Sequence, residues 1–181
     1  MLSHKRCSKR FWPVLLLAAG SVWLVPRSAQ AFEREWHLGA GLGGALPSGG
    51  YELGPALEAY AAYGISDVFD VRLELAGSRH GFEEAPSVNV FSGAAGLAYK
   101  IDIIQWVPWF GVMGGYYLKG SGSDPLGDLP GDAPSVGVNV GIDYTLTREI
   151  GLGLSFREDF MLVDGGNMSL LFLRGEYRFG W

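Results

Sequence analysis

The chain has a single cysteine, Cys7, and beyond residue 31 only two lysines, Lys100 and Lys119. One thiol cannot close an intrachain disulfide, so a disulfide framework is excluded. A lipoprotein signal needs its cysteine after the apolar run, and Cys7 precedes it. Scarce lysine argues against a water-facing surface, because soluble surfaces and exposed sheet edges are rich in it. Long apolar runs are also missing. Val14 to Val25 is the main one, and it falls short of the roughly 20 residues a membrane helix requires. Positive charge is short as well. The chain holds 14 Lys+Arg and 19 Asp+Glu. Five of the cations (Lys5, Arg6, Lys9, Arg10, Arg27) lie before residue 32, which leaves 9 against 19, a formal charge of −10. Such a balance excludes a nucleic-acid surface.

What is present at the front is an export signal pattern. Lys5, Arg6, Lys9 and Arg10 form a positive start, Val14 to Val25 the apolar middle, and Ala29-Gln30-Ala31 a small-residue cleavage site. Residues 1–31 therefore read as a cleaved signal peptide for the Sec pathway, and residues 32–181 as one domain.

The rest of the chain alternates with period two, the spacing that sends successive side chains to opposite faces of a strand. Eight segments show it: Trp36–Leu46, Ala56–Ile65, Phe69–Ser78, Val88–Ile101, Val107–Leu118, Ser135–Leu146, Ile150–Arg157 and Leu171–Trp181. In the third, Phe69, Val71, Leu73 and Leu75 oppose Asp70, Arg72 and Glu74. In the sixth, Val136, Val138, Val140 and Ile142 oppose Gly137, Asn139, Gly141 and Asp143. The fifth is ambiguous, and Phe110, Val112 and Tyr116 are assigned to its apolar face. Connectors after segments two, four and six are short; those after one, three, five and seven are generally longer, up to Lys119–Pro134. This is an up-and-down meander with short turns at one end and long loops at the other.

Alternation alone does not separate a membrane barrel from a soluble one. The polar face helps, being mostly Gly, Ala, Ser and Asn with charges of both signs, a composition suited to a narrow interior. The aromatics help more. Trp36, Trp106, Trp109 and Trp181 all map to the short-turn end of the meander, and with Tyr63, Tyr99 and Phe179 they are expected to form an aromatic girdle at a lipid–water interface. The final segment, Leu171-Phe-Leu-Arg-Gly-Glu-Tyr-Arg-Phe-Gly-Trp181, resembles the closing strand of bacterial outer-membrane β-barrels, whose assembly machinery recognises a C-terminal aromatic. Taken together, these features resemble the small eight-stranded outer-membrane barrels, the OmpA-like transmembrane barrel and the OmpX type. The fold class expected is all-β: an eight-stranded antiparallel up-and-down transmembrane β-barrel following a signal peptide. The chain is expected to end at the barrel, with no peptidoglycan-binding domain of the kind that follows the barrel in OmpA itself.

The resemblance implies a Gram-negative outer-membrane location, with contacts to outer-membrane lipids, lipopolysaccharide and the barrel-assembly machinery. A monomer without cofactor or metal is expected. An eight-stranded barrel is just wide enough for side chains to fill. Glu58, Asp70, Glu74, Asp143 and Glu176 should therefore meet Arg72, Lys100, Arg157, Arg174 and Arg178 in an internal charge network, leaving no open pore. A narrow small-solute channel is the alternative. A second alternative is a lipid A deacylase-type hydrolase, using Ser78 and His80 on one face with Glu83 or Glu84 orienting the imidazole; the order of these residues reverses the pattern of such enzymes. The acidic residues Glu52, Glu83, Glu84, Asp124, Asp128, Asp132, Glu158, Asp159 and Asp164 are assigned to the long loops, as a solvated surface without the spacing of an EF-hand.

Overall fold

The computed structural model describes residues 34–48, 52–82, 85–101, 105–120, 131–163 and 165–180. The strands are β1 (Trp36–Pro47), β2 (Gly54–Gly64), β3 (Phe69–Phe82), β4 (Ala85–Lys100), β5 (Trp106–Lys119), β6 (Ala133–Thr145), β7 (Ile150–Met161) and β8 (Asn167–Phe179). Each pairs antiparallel with the next, and β8 returns to β1 over twelve residue pairs, from Trp36 opposite Phe179 to Pro47 opposite Met168. The barrel is therefore closed, with every strand paired on both sides, and closure alone removes the sheet edges.

Its polarity is inverted relative to a soluble barrel. The outer wall exposes Leu42, Leu57, Leu73, Val112, Val138, Leu154 and Leu173, while Glu58, Asp70, Arg72, Glu74, Arg157 and Arg174 are buried inside. The alternation read from the sequence thus carries apolar side chains outward, as a lipid-facing barrel requires.

Two of the short turns are held by hydroxyl side chains. Phe69 N donates to Ser66 Oγ at 3.1 Å, and Ile150 N to Thr147 Oγ1 at 3.1 Å, so each hydroxyl satisfies a backbone donor as the chain reverses. At the other end the ladders run further than the hydrophobic alternation. β3 continues to Phe82 and β4 begins at Ala85, so only residues 83–84 separate them, where a longer loop was expected. β2 pairs with β3 only as far as Ser78, and the β3–β4 register shifts between His80 and Phe82. Hydrophobic alternation marks the part of a strand with one apolar face; the ladder continues for as long as backbone groups find partners.

Candidate functional site

The interior is filled in tiers, starting at the short-turn end. There Glu176 is the hub. Its Oε1 lies 2.5 Å from Arg178 Nη2 and accepts from Arg178 Nε at 2.6 Å, while its Oε2 accepts from Tyr60 OH at 2.9 Å and lies 3.4 Å from His37 Nδ1. Glu35, just before β1, reaches His37 Nε2 at 3.7 Å. Burial pushes the Glu35 carboxyl above the usual carboxylate range, against the pull of His37 and Arg178.

The middle tier is cationic and aromatic. The guanidinium of Arg72 lies over the Trp109 ring, 3.6 Å from its centroid. Arg174 lies over Tyr60 at 3.9 Å and near Trp109 at 4.8 Å. Asp143 meets Arg174 Nε at 3.3 Å, and Asp70 meets Lys100 Nζ at 2.9 Å. In the next tier Arg157 joins three strands. Its Nη1 donates to Glu74 Oε2 at 2.9 Å, its Nη2 to Ser92 Oγ at 3.0 Å, and its Nε lies 2.9 Å from Asp159 Oδ2, which also accepts from Tyr117 OH at 2.6 Å. Asn139 Nδ2 donates to Glu74 Oε1 at 3.3 Å. Glu74 on β3 and Arg157 on β7 are not neighbours in the sheet, so their bond crosses the lumen and ties opposite walls together. Toward the long-loop end the lumen becomes apolar. Ala45, Ala56, Ala76, Val88, Val90, Tyr117, Met161, Met168, Leu170 and Phe172 form one buried cluster there.

All ten of the charged residues assigned to the interior are buried. Eight of them take part in the ion pairs above, and Arg72 lies over the Trp109 ring. Glu58 stands apart: its Oε1 has no hydrogen-bond partner among the described residues. The girdle is partly different from expectation. Trp36 packs on Tyr63 with centroids 4.8 Å apart, Tyr99 on Phe69 and on Phe110 at 5.3 Å each, and Trp106 on Tyr144 at 4.6 Å. Phe179 stacks on Tyr177 at 6.0 Å. Trp109 does not belong to it. It is 2% exposed, against 51% for Trp106, and points into the lumen. The cause is parity: Phe110 and Val112 face outward on β5, so Trp109 faces inward. Trp181 lies outside the described residues.

Asp159, assigned to a loop, is instead an interior residue of β7. It continues the inward parity of Arg157. Tyr60, Tyr117 and Asn139 were likewise legible as inward positions, but nothing in the sequence singled them out as partners of the charges. The apolar cluster at the long-loop end was not anticipated. Ser78 and His80 do meet, with Ser78 Oγ 2.9 Å from His80 Nε2. Both are buried on the inner wall, and no carboxylate reaches the imidazole Nδ1 among the described residues. Glu83, Glu84, Asp124, Asp128 and Asp164 lie outside the described residues, as do residues 1–31. No cluster of metal-ligating side chains is found among the described residues.

No family model and no curated protein matches the chain in sequence. Solved structures do match in fold. Ail, the attachment invasion locus protein of Yersinia pestis, superposes with a TM-score of 0.61 at 18% identity, covering 81% of this chain and 99% of Ail. Neisserial surface protein A gives 0.60 at 19% identity, over 81% of this chain and 97% of that one. The outer membrane protein OprG from Pseudomonas aeruginosa gives 0.63 at 11% identity, over 82% and 97%. At these identities the likeness speaks to architecture, and the architecture is that of the small eight-stranded outer-membrane β-barrels.

Proposed function

We propose that this chain is an integral outer-membrane barrel with a structural or interaction role, inserted with its short turns toward the periplasm and its long connections outward, and that it is not an open pore. Residues 1–31 serve as the export signal in this reading, and the terminal strand addresses the barrel-assembly machinery. The observation that carries it is the combination of an apolar outer wall with a filled lumen. The wall bears an aromatic belt from Trp36 through Tyr99 to Trp106, the position such rings take at a lipid–water interface. Inside, the Arg72–Trp109–Arg174 stack, the Glu74–Arg157 bridge and the Phe172 cluster lie one above another. Buried charges so paired hold each other in place, which supports a lumen without an open aqueous path. The extracellular connections then carry whatever contact the protein makes with lipopolysaccharide or another partner.

The test is reconstitution. Folded protein should require detergent or lipid, shift its gel migration on boiling, and leave a planar bilayer electrically silent at high purity. Steady unitary currents would overturn the closed-lumen reading. A barrel that stays folded and monodisperse in plain buffer would overturn the membrane one. The Ser78–His80 contact favours one second reading, a hydrolase acting on lipid A. It predicts acyl release from lipopolysaccharide that Ser78→Ala abolishes. The inward burial of the pair argues against it.

A further inference from the structure

The outer wall carries a groove of about 1110 Å³ across the faces of β2, β3, β4 and β5. Its lining on β2 runs from Pro55 to Ala59 and on β3 from Leu75 to Arg79. Both stretches begin and end on outward residues, so the groove faces lipid and not the lumen. Leu57, Leu75, Phe91, Tyr116 and Leu118 stand along it, each about half exposed. Between them Gly77 and Gly93 present no side chain. A Cβ at either would meet only a neighbouring side chain, Phe91 at 3.3 Å or Leu75 at 3.4 Å, and no backbone atom. Neither has a positive φ. The sheet therefore does not require glycine at these positions, and a strand glycine of this kind marks where another molecule comes close to the backbone. At one end of the groove stand Arg79 and its register partner Asn89, both exposed. Arg79 Nε donates to Ser87 Oγ at 2.8 Å, which positions the guanidinium and leaves its two Nη groups as donors. None of the described ion pairs includes Arg79. Arg79 lies ten residues along β3 from Phe69 of the aromatic belt. At about 3.3 Å per residue and a strand tilt of about 40°, that is about 25 Å along the membrane normal, the height of the apolar band of such barrels. The cation thus sits at the headgroup level of the far leaflet, with the apolar groove beneath it.

The geometry points to this groove as a site for one molecule of lipid A, with a phosphate on the Arg79 guanidinium and an acyl chain laid over Gly77 and Gly93. An apolar trough with a single cation at its headgroup end has the shape and charge of an anionic amphiphile, and a phosphate makes charge-assisted bonds with guanidinium. Lipid A fits better than a zwitterionic phospholipid because its phosphates carry no cation of their own. The assignment rests on the reading above that the long connections point outward, which puts Arg79 in the leaflet that holds lipopolysaccharide.

The experiment uses folded protein in maltoside micelles, titrated with lipid A and read by native mass spectrometry. One lipid A should be retained saturably. Arg79→Gln should weaken retention by about tenfold or more, the loss of a charge-assisted hydrogen bond. Gly93→Leu fills the trough with a lipid-compatible side chain and should weaken it as well. Gly175→Leu, at another wall position where an added Cβ meets only Leu152 at 3.8 Å, should change nothing. Retention undiminished in either folded variant overturns the site, as does equal retention of phosphatidylethanolamine or of lipid A stripped of its phosphates. The two stripped and zwitterionic probes need only the wild-type protein, so they decide where a variant fails to fold. Failure of the membrane reading looks different: the protein would stay folded without detergent. A protein that folds only in micelles yet holds no lipid A overturns the groove alone.

Discussion

Arg72 and Trp109 lie face to face inside the barrel, the guanidinium carbon 3.6 Å from the ring centroid, although they sit on β3 and β5 with β4 between them. Their contact is one of several that reach across the lumen past a neighbouring strand, and several of the consequences below follow from such contacts.

Trp109 and Trp106 should report opposite environments. Lipids brominated on their acyl chains should quench the fluorescence of Trp106 and Trp36, which stand on the outer wall, and leave Trp109 unquenched. Single-tryptophan proteins in brominated bilayers measure this. Replacing Trp109 by Leu removes two cation–π contacts and should destabilise the fold by about 2 kcal/mol or more, whereas Trp106→Leu should act mainly on membrane affinity.

Arg174 links Asp143, Glu176 and the Tyr60 ring. Arg174→Met keeps much of its bulk and removes the charge, leaving Asp143 buried without its close cation. The expected loss is about 3–5 kcal/mol, read from urea unfolding in lipid vesicles. An unchanged midpoint would show that the interior network adjusts freely.

Gly39 tests the packing around that same tier. A Cβ placed there would run into the ring of Tyr60 and meet the carbonyl oxygen of Gly175. Gly39→Ala should push Tyr60 away from Glu176 and cost about 1–3 kcal/mol. Gly114, where an added Cβ meets nothing within 4 Å, is the matched control, and Gly114→Ala should be close to neutral.

Glu35 should give the protein a pH signature. Its carboxyl is raised by burial, so the folded state binds the proton more tightly than the unfolded chain does. Stability from this group is then greatest in acid and falls as pH rises from the ordinary carboxylate range through the raised value. Glu35→Gln removes the titration. The variant should match the wild type in acid and become the more stable of the two near neutrality, as measured by denaturant midpoints across that range. A gap that opens in the other direction would mean that the charged carboxylate is favoured by His37 and Arg178.

Much of this architecture was legible in the residues. Phe69, Val71, Leu73 and Leu75 against Asp70, Arg72 and Glu74 give a strand with two unlike faces, and eight such strands with alternating connectors admit few arrangements. The inward charges followed from the same parity. Trp109 shows where a global pattern misleads. Grouping it with the other tryptophans at one end overrode the alternation of its own strand, which already placed it opposite Phe110 and Val112. Asp159 was lost by ending β7 at Arg157, because ladder pairing extends past the last hydrophobic repeat.

The sequence by itself determined which face of each strand is apolar, the order of the strands and which charges turn inward, because these are local properties with a period of two. Only the closed barrel decided which of those charges meet. Whether Glu74 finds Arg157, whether Arg72 rests on Trp109, and whether Phe172 and Met168 seal the far end depend on register and stagger around the whole ring. Register around a closed sheet is set by all eight ladders at once, and no single strand encodes it.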